Sequence, residues 1–407
     1  MQSFDVIIVG GGIIGSTLAC ALGREGVTVA LLEASELPVI DEREREPRVY
    51  AISRASEYIL TGLSAWDDLA GQGHAFQKMH VWDAGGSGEI AFDCARLGEP
   101  YLGHTMEPRR IRAAVLEGAQ SLQAVSLFCP ARFSDIRVTD DRAEVHLEDG
   151  TVLAGSLVIG ADGARSPVRE WFGMPAGVHD YHQCSLVAAV LTEQHHNDTA
   201  WQRFLPGGPL AFLPMAEGWS SIVWTLPESE VEAVIALERH DFHAALAEAF
   251  DHRLGNVVDS GPREAWPLRR LHAEHYVRER VALAGDAAHA IHPLAGQGVN
   301  LGLLDAASLA EVIQKAHGQR KDPGSLTVLR RYERWRRGDN LMMMSAMDAF
   351  NLLFSNNRSS LRWTRNLGLS LINRANPAKE TLMRHAMGLA GDLPALARRP
   401  VDLPSHG

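Results

Sequence analysis

Three separated segments of this chain combine glycine and aspartate in the way that dinucleotide-binding sites require. The first segment is the run GGGIIG at positions 10–15. It follows an apolar stretch at 4–9 that is typical of a strand, and it leads into a helical pattern at 13–25. Backbone N–H groups and the positive end of the helix dipole face a pyrophosphate at such a turn. The sequence therefore predicts a phosphate-binding turn formed by Gly10, Gly12 and Gly15.

An acidic residue at the end of the next predicted strand supports this interpretation. That strand spans 28–32 and ends at Glu33, roughly 20 residues after the glycines. A carboxylate at this distance accepts hydrogen bonds from ribose hydroxyls in βαβ dinucleotide-binding units. We therefore predict that Glu33 binds a ribose.

The second and third segments each place an aspartate after an apolar strand pattern. Asp162-Gly163 follows residues 157–159, and a surface turn capped by the carboxylate is the competing interpretation. Asp286 follows residues 280–283, where its carboxylate is suited to accept a hydrogen bond from a ribityl hydroxyl.

The loop after Asp286 is rich in glycine and is predicted to begin a helix near residue 299. Helix-start amides stabilise negative charge, such as the charge that develops on the N1–C2=O edge of a reduced flavin. A glycine-rich helix start without a ligand is the alternative interpretation. The candidates to face a flavin in this loop are His289, His292, Pro293, Gly296, Gly298, Val299 and Asn300.

Composition and charge exclude several other classes of protein. The chain has 407 residues, 46% of them hydrophobic and 22% charged, which is typical of a globular protein with two or three domains. Its net charge of −11 argues against a nucleic-acid partner. The four cysteines form no C-x-x-C, so neither a zinc site nor a disulfide framework is predicted, and a reducing compartment is expected. Neither a signal peptide nor a transmembrane segment is predicted.

The order of the predicted elements indicates an α/β fold with an inserted sheet. Short apolar strands at 184–190, 201–205, 210–214 and 220–225 are separated by turns, which is the pattern of an antiparallel sheet. A helical stretch at 228–250 follows, before the dinucleotide fold returns at 280–283. We predict a discontinuous Rossmann-like domain (1–175 and 276–340), a sheet domain (176–275) and a helical C-terminal region (341–407).

Taken together, the three segments resemble those of the FAD-dependent aromatic hydroxylases related to p-hydroxybenzoate hydroxylase. Within that superfamily the chain resembles the ubiquinone-biosynthesis hydroxylases. The stretches that carry the narrower resemblance are RVYAIS at 48–53, VWD at 81–83, residues 204–214, residues 292–302, NPAK at 376–379 and RHAMG at 384–388. One departure is Pro108, where this family usually has asparagine after the glutamate. Proline suits the first turn of a helix, but any asparagine contact to FAD from that position is lost.

The resemblance assigns FAD contacts to several of these residues and implies a three-layer FAD-binding domain. It places Glu33 at the adenosine ribose, Arg48 near the phosphates or flavin, and Asp286 at the ribityl chain or pyrophosphate. The residues that it assigns to the pyrophosphate are Gly10, Gly12, Ile13, Ile14 and Gly15. It places residues 293–300 at the isoalloxazine, while Asp162-Gly163 would serve FAD indirectly and also the docking of NAD(P)H.

The resemblance also implies the reaction, which is hydroxylation of a polyprenylated phenol or benzoquinol in ubiquinone biosynthesis. O₂ would react through a C4a-hydroperoxyflavin, and NAD(P)H or another donor would act as transient reductant. The ring position and the tail length are not encoded in these motifs. Hydroxylation of another small phenol, or a non-catalytic flavoprotein subunit of a biosynthetic complex, are the alternatives.

Some side chains are given both a structural and a functional interpretation. Five aromatic residues of the inserted sheet are core residues by default, or substrate-pocket residues if they face the flavin: Tyr181, Trp201, Phe204, Phe212 and Trp224. No metal site is predicted, because His182 is expected at a strand edge and His195-His196 in an exposed turn. The basic run at 331–337 is expected to be a solvated helix face.

A prenylated substrate and the lack of a predicted membrane span together raise the question of location. We expect a cytoplasmic protein that meets its substrate at the inner-membrane surface or through a ubiquinone-biosynthesis complex. The methionine-rich stretch LMMMSAMDAFNLLF at 341–354 is the candidate contact surface, because methionine adapts to irregular apolar partners. Packing of this helix against the flavin domain is the competing interpretation.

Overall fold

The computed structural model describes residues 1–37, 45–86, 88–291, 298–354, 380, 383–385 and 387–399. Within these ranges the strands, in chain order, are β1 (Gln2–Val9), β2 (Val29–Leu32), β3 (Tyr50–Ser53), β4 (His74–Phe76), β5 (Lys78–Asp83), β6 (Glu89–Asp93), β7 (Gly103–Met106), β8 (Val125–Phe128), β9 (Phe133–Val138), β10 (Ala143–Leu147), β11 (Val152–Gly160), β12 (Ala176–Thr192), β13 (Thr199–Leu205), β14 (Gly208–Pro214), β15 (Trp219–Pro227), β16 (Val257–Ser260), β17 (Glu264–Ala273), β18 (Val277–Arg278), β19 (Val281–Leu283) and β20 (His289–Ala290). The α-helices in the same ranges are α1 (Ile13–Arg24), α2 (Arg54–Gly62), α3 (Trp66–Ala70), α4 (Pro108–Gln120), α5 (Pro167–Trp171), α6 (Glu228–Ile235), α7 (Arg239–Ala249), α8 (Gly298–Gly318) and α9 (Leu326–Phe354).

The first sheet is built around a parallel centre. Its strand order is β18-β19-β11-β1-β2-β8, and β10 and β9 extend it from β11. The pairs β1–β11, β1–β2, β11–β19 and β2–β8 are parallel. Val6, Ile7 and Ile8 of β1 are fully buried, as expected for a strand of a parallel sheet that is covered on both faces. Helix α1 packs against α4 and α8, so the predicted β-turn-α unit forms.

The second sheet is mostly antiparallel and has the order β20-β17-β12-β15-β14-β13-β5-β6, with β16 beside β12. The pairing of β13 with β5 is parallel. Strands β5, β6 and β20 lie outside residues 176–275, so the sheet extends beyond the predicted inserted segment. A small third sheet, β3-β7-β4, lies beside these two. The predicted domain boundaries at 175, 275 and 340 stay a prediction.

One face of the second sheet is covered by α6 and α7. Phe242 and Phe250, from α7 and its C-terminal cap, pack with strand residues of that face in one apolar cluster. The single helix predicted at 228–250 is wrong, because residues 236–238 separate α6 from α7. Glu238 is the N-cap residue of α7 and has extended backbone angles.

The prediction that the basic run at 331–337 forms a solvated helix face is also corrected. Tyr332 and Arg336 of α9 are buried, while Arg331 and Arg334 are exposed as expected. Burial of Arg336 is possible because Asp305 of α8 pairs with it. Among the described helices, none combines the length and the apolar content that crossing a bilayer needs.

Candidate active site

The glycine turn between β1 and α1 is tight on two sides and open on a third. Gly10 has φ +111°, and a Cβ there would lie 2.4 Å from the Ala161 carbonyl oxygen. A Cβ on Gly15 would lie 1.9 Å from the Gly10 carbonyl oxygen, so both positions require glycine. By contrast, no described atom lies within 4 Å of a Cβ built on Gly12. The turn therefore leaves free space where the sequence predicts a pyrophosphate.

Glu33 lies beside this turn and is held by a residue that the sequence did not predict. Arg112 of α4 donates from Nη2 to Glu33 Oε2 over 2.9 Å and from Nε to the Gly11 carbonyl over 3.0 Å. Arg112 and Glu33 both line the cavity described below. Arg109 and Arg110 pair instead with Glu107, so Arg112 is the α4 arginine that reaches the predicted cofactor site.

We expect Arg112→Met to weaken FAD binding about 10- to 100-fold, because charge-assisted hydrogen bonds contribute about 1.5–3 kcal/mol. Without the guanidinium, neither the Glu33 carboxylate nor the Gly11 carbonyl is fixed. Fluorescence titration of the apoprotein with FAD measures the change. Arg24→Met removes an exposed arginine that donates to Ser64 and is the matched control. Equal FAD affinity in both variants would contradict this role.

Asp162 presents an unsatisfied carboxylate oxygen at the same cavity. Its Oδ2 accepts from the Val168 N–H over 2.9 Å. Its Oδ1 is buried and has no hydrogen-bond partner among the described residues. Burial raises the pKa of this carboxyl, while hydrogen bonds from Ser166 and Val168 act in the opposite direction. A ligand hydroxyl would satisfy this oxygen.

Asp286 enters the cavity from a short 3₁₀ turn, Gly285–Ala287. Gly285 has φ +61°, and a Cβ there would meet Ile14 Cγ1 at 3.1 Å, so the turn lies close against α1. The Asp286 side chain is exposed to the cavity. The surrounding protein raises the pKa of its carboxyl, and the positive charges of His289 and Arg48 oppose that shift.

The start of α8 combines cavity contact with a structural tether. Gly298 and Val299 line the cavity. Asn300 is buried, and its Oδ1 accepts from Ser53 N at 3.0 Å and Ser56 Oγ at 2.7 Å. These bonds hold α8 against β3 and α2, next to the cavity residue Arg48. His292, Pro293 and Gly296 lie outside the described residues.

A single cavity of about 1390 Å³ joins these groups and lies between the two large sheets. On the opposite side, Val187, Leu213 and Val223 of the second sheet form an apolar wall, and Ser185, Trp266 and Arg269 of the same sheet also line the cavity. Gly15 and Asn300 are absent from the described lining because they pack behind it. The predicted cofactor residues that line it are Gly10, Gly12, Ile13, Ile14, Glu33, Arg48, Asp162, Asp286, Gly298 and Val299.

The structure does not place the predicted aromatic residues in this cavity. Phe212 and Trp224 point to the helix-covered face of the second sheet, where the Phe212 ring stacks on Phe250 with centroids 3.9 Å apart. Side chains alternate along a strand, so their neighbours Leu213 and Val223 face the cavity instead. The prediction that Phe212 and Trp224 line a substrate pocket is therefore corrected to core packing.

The remaining aromatic candidates also have structural contacts. Trp201 packs against the same helix-covered cluster, and Phe204 packs with Val81, Ile90 and Met347. The Tyr181 hydroxyl donates to Asp348 of α9. None of these residues is among the described residues that line the cavity.

The histidine predictions need one correction. His195 is exposed, as expected, but His196 is fully buried. His196 lies near His74 and Asp198 in a geometry that could hold a metal ion. However, its Nε2 bonds the Met215 carbonyl at 3.0 Å and its Nδ1 accepts from the Asp198 N–H at 3.2 Å. Both ring nitrogens are thus used by the backbone, and the cluster is structural.

Burial of His196 predicts a loss of stability in mild acid. Burial and the nearby His195 lower the pKa of His196 from 6.5 to about 4. A base with a depressed folded-state pKa contributes its full stability above pH 6.5 and loses it as the pH falls toward 4. We expect a loss of about 2 kcal/mol between pH 7 and pH 5 from this residue. Urea unfolding at both pH values checks it, and His196→Gln should lose less over the same interval.

The fold and this cavity are those of a FAD-binding protein. The glycine turn leaves free space at Gly12, and the carboxylates of Glu33, Asp162 and Asp286 line the same cavity, so the residues present fit the cofactor. Residues 3–339 match the family model described as the FAD binding domain. The chain is 39% identical over 384 residues to ubiquinone hydroxylase UbiL of Rhodospirillum rubrum, covering 94% of this chain and 89% of that protein. It is 37% identical over 390 residues to 3-demethoxyubiquinol 3-hydroxylase of Escherichia coli, covering 95% and 99%.

Solved structures show the same fold. p-Nitrophenol 4-monooxygenase PnpA from Pseudomonas putida superposes with a TM-score of 0.77 at 21% identity, covering 95% of this chain and 99% of that one. The chain belongs to the FAD-dependent hydroxylase family that includes the ubiquinone-biosynthesis hydroxylases. The predicted family, α/β fold class and FAD cofactor are therefore confirmed.

Proposed function

We propose that this protein uses bound FAD to hydroxylate the aromatic ring of a polyprenylated phenol or benzoquinol in ubiquinone biosynthesis. The observation that carries the proposal is the single cavity in which the dinucleotide residues face an apolar wall. When bound, FAD supplies the activation of O₂ after reduction by NAD(P)H or another donor. The names of the two similar bacterial hydroxylases support ubiquinone biosynthesis as the pathway.

The residues of this chain would bind the cofactor, orient the substrate ring and exclude water. Gly12, Asp162 and Asp286 would hold the cofactor from the first domain. Val187, Leu213 and Val223 would cover the ring site with apolar surface, which keeps water out and fixes the ring by shape. Ser185 contributes a hydroxyl to the same wall. We propose the segments 1–175 with 276–340 as the FAD domain and 176–275 as the substrate domain.

The location follows from the substrate. An apolar prenyl tail favours contact at the surface of the inner membrane or delivery through a biosynthetic complex. Helix α9 offers Leu341 and Met342 as exposed apolar side chains, at 38% and 62% exposure. Met344 is buried, and Met347 packs against the Phe204 cluster. We propose the contact surface at Leu341 and Met342, while Met344 and Met347 serve packing.

The test is direct turnover with the purified FAD-loaded protein. A short-chain prenylated phenol, O₂ and NADH or NADPH are supplied, and mass spectrometry follows a product heavier by one oxygen atom. Incorporation of ¹⁸O from ¹⁸O₂ is expected. FAD reduction without any hydroxylated product, across prenylated phenols and simple phenols with either nucleotide or a chemical reductant, would favour a non-catalytic subunit. Product from simple phenols only would favour the alternative hydroxylase.

A further inference from the structure

A buried charged cluster lies directly behind Asp286, and Asp305 of α8 is at its centre. Asp305 is 0% exposed, and His289 and Arg336 are each 2% exposed. Its Oδ1 accepts from Arg336 Nε at 2.9 Å and from Asn340 Nδ2 at 3.1 Å. The cluster therefore joins α8 to α9 in the interior of the FAD domain.

The other oxygen of Asp305 bonds the turn that carries Asp286. Asp305 Oδ2 accepts from the Gly285 N–H at 3.2 Å and from His289 Nε2 at 2.5 Å. These two donors flank Asp286 in sequence, one on each side. The Asp305 carboxylate thus closes a bridge across the turn, on the side away from the cavity.

Two further buried side chains hold the same turn. The Tyr332 hydroxyl donates to the Leu283 carbonyl at 2.9 Å, and Arg169 donates to the Ala287 carbonyl at 2.9 Å. Gly285 itself has a left-handed φ of +61°. A carboxylate that binds its N–H fixes this conformation and also the direction of the next residue, Asp286.

Isolated buried charges are costly, and even a paired cluster gains little for stability over well-packed apolar residues. Stability alone therefore does not explain this cluster. Because it bonds the turn that carries Asp286, it also fixes the position of that carboxylate. We propose that Asp305 is a positioning residue, which holds the Gly285–His289 turn so that the Asp286 carboxylate is preorganised for FAD. The inference rests on the proposed FAD-dependent function.

The Asp305 carboxyl group is ionised at neutral pH. Burial alone would raise the pKa of this carboxyl, but His289 and Arg336 lower it to about 2. The carboxylate is therefore an acceptor for both the turn and α9 at neutral pH. Replacing it with an amide keeps the shape and removes the charge-assisted bonds that hold the turn.

The test is Asp305→Asn, with FAD affinity and the visible circular dichroism of bound flavin as readouts. We expect the FAD dissociation constant to rise about tenfold or more and the circular dichroism of the bound flavin to change. Arg280→Met is the matched control, because Arg280 is also buried but bonds Ser156 and Asp322 at the opposite end of β19. It should lose thermal stability and keep the wild-type FAD affinity and spectrum.

His289→Leu keeps the test decisive if Asp305→Asn does not fold. In that variant Arg336 and Asn340 still donate to Asp305 Oδ1 and the Gly285 N–H still donates to Oδ2, so only the His289 bond to the turn is lost. FAD affinity and flavin dichroism should therefore change in the same direction as in Asp305→Asn. Wild-type affinity and spectrum in a folded Asp305→Asn or His289→Leu protein would overturn the positioning role. Failure of the wild-type protein to bind FAD would instead count against the proposed function.

Discussion

We expect that Gly12→Val folds normally but no longer retains FAD. Gly12 is the N-cap residue of α1, and its backbone angles, φ −76° and ψ −173°, are accessible to any residue. Because no described atom lies near its Cβ position, the new side chain fits the apoprotein and occupies the space for the pyrophosphate. We expect affinity for FAD to fall more than about 100-fold, a cost of about 2.7 kcal/mol or more.

The flavin absorbance of the purified Gly12→Val protein and its FAD titration measure this loss. Thermal unfolding should stay close to that of the wild-type apoprotein. Gly15→Ala is the matched contrast, because its Cβ would meet the Gly10 carbonyl oxygen at 1.9 Å and must displace backbone. That variant should lose stability as well as FAD. A yellow Gly12→Val protein with wild-type affinity would show that the phosphates bind elsewhere.

The clustering of the predicted cofactor residues at one cavity follows from the sequence, because part of it is encoded locally. Gly10, Gly12 and Glu33 belong to one β-turn-α-β unit, so order and spacing along the chain predict that they lie close together. Arg112 belongs to a helix about 80 residues later in the chain, and nothing in its own helix marks it. Its partner is set by the packing of α4 against α1, which spacing alone does not encode.

The substrate wall was not predictable for a different reason. Alternation in a strand shows that two faces exist, but the sequence does not say which face a helix covers. The large aromatic residues Phe212 and Trp224 were the natural candidates for a ring pocket. In the structure α6 and α7 cover their face, and the other face lines the cavity with the aliphatic residues Val187, Leu213 and Val223 and with Trp266.

Burial of polar side chains was also underestimated from the sequence. Arginine is mostly exposed and histidine is intermediate in burial, so the polar sequence around Arg336 and His196 favours the surface. Each is buried because a distant partner satisfies it: Asp305 for Arg336 and the Met215 carbonyl for His196. Such pairs depend on tertiary contacts and leave no periodic pattern along the chain.

Substitutions at the adjacent residues Val223 and Trp224 test which face of the second sheet binds the substrate ring. Val223 lines the cavity, and Val223→Trp should fill the space for the substrate ring while leaving the cofactor residues untouched. We expect normal FAD content, a fall in kcat/KM for hydroxylation of more than about 100-fold, and less product per NAD(P)H oxidised. Steady-state kinetics with product quantification by mass spectrometry measure both changes.

Trp224→Leu should have the opposite profile. Trp224 packs in the cluster under α6 and α7, so its truncation leaves a cavity and costs about 2 kcal/mol or more of unfolding free energy. The kcat/KM of the remaining folded protein should stay within about twofold of the wild-type value, because the apolar wall at Val187, Leu213 and Val223 is intact. If Trp224→Leu instead abolished hydroxylation in a stable protein, and Val223→Trp remained active, the substrate ring would bind on the face covered by the helices. The assignment of the cavity between the two sheets as the active site would then be wrong.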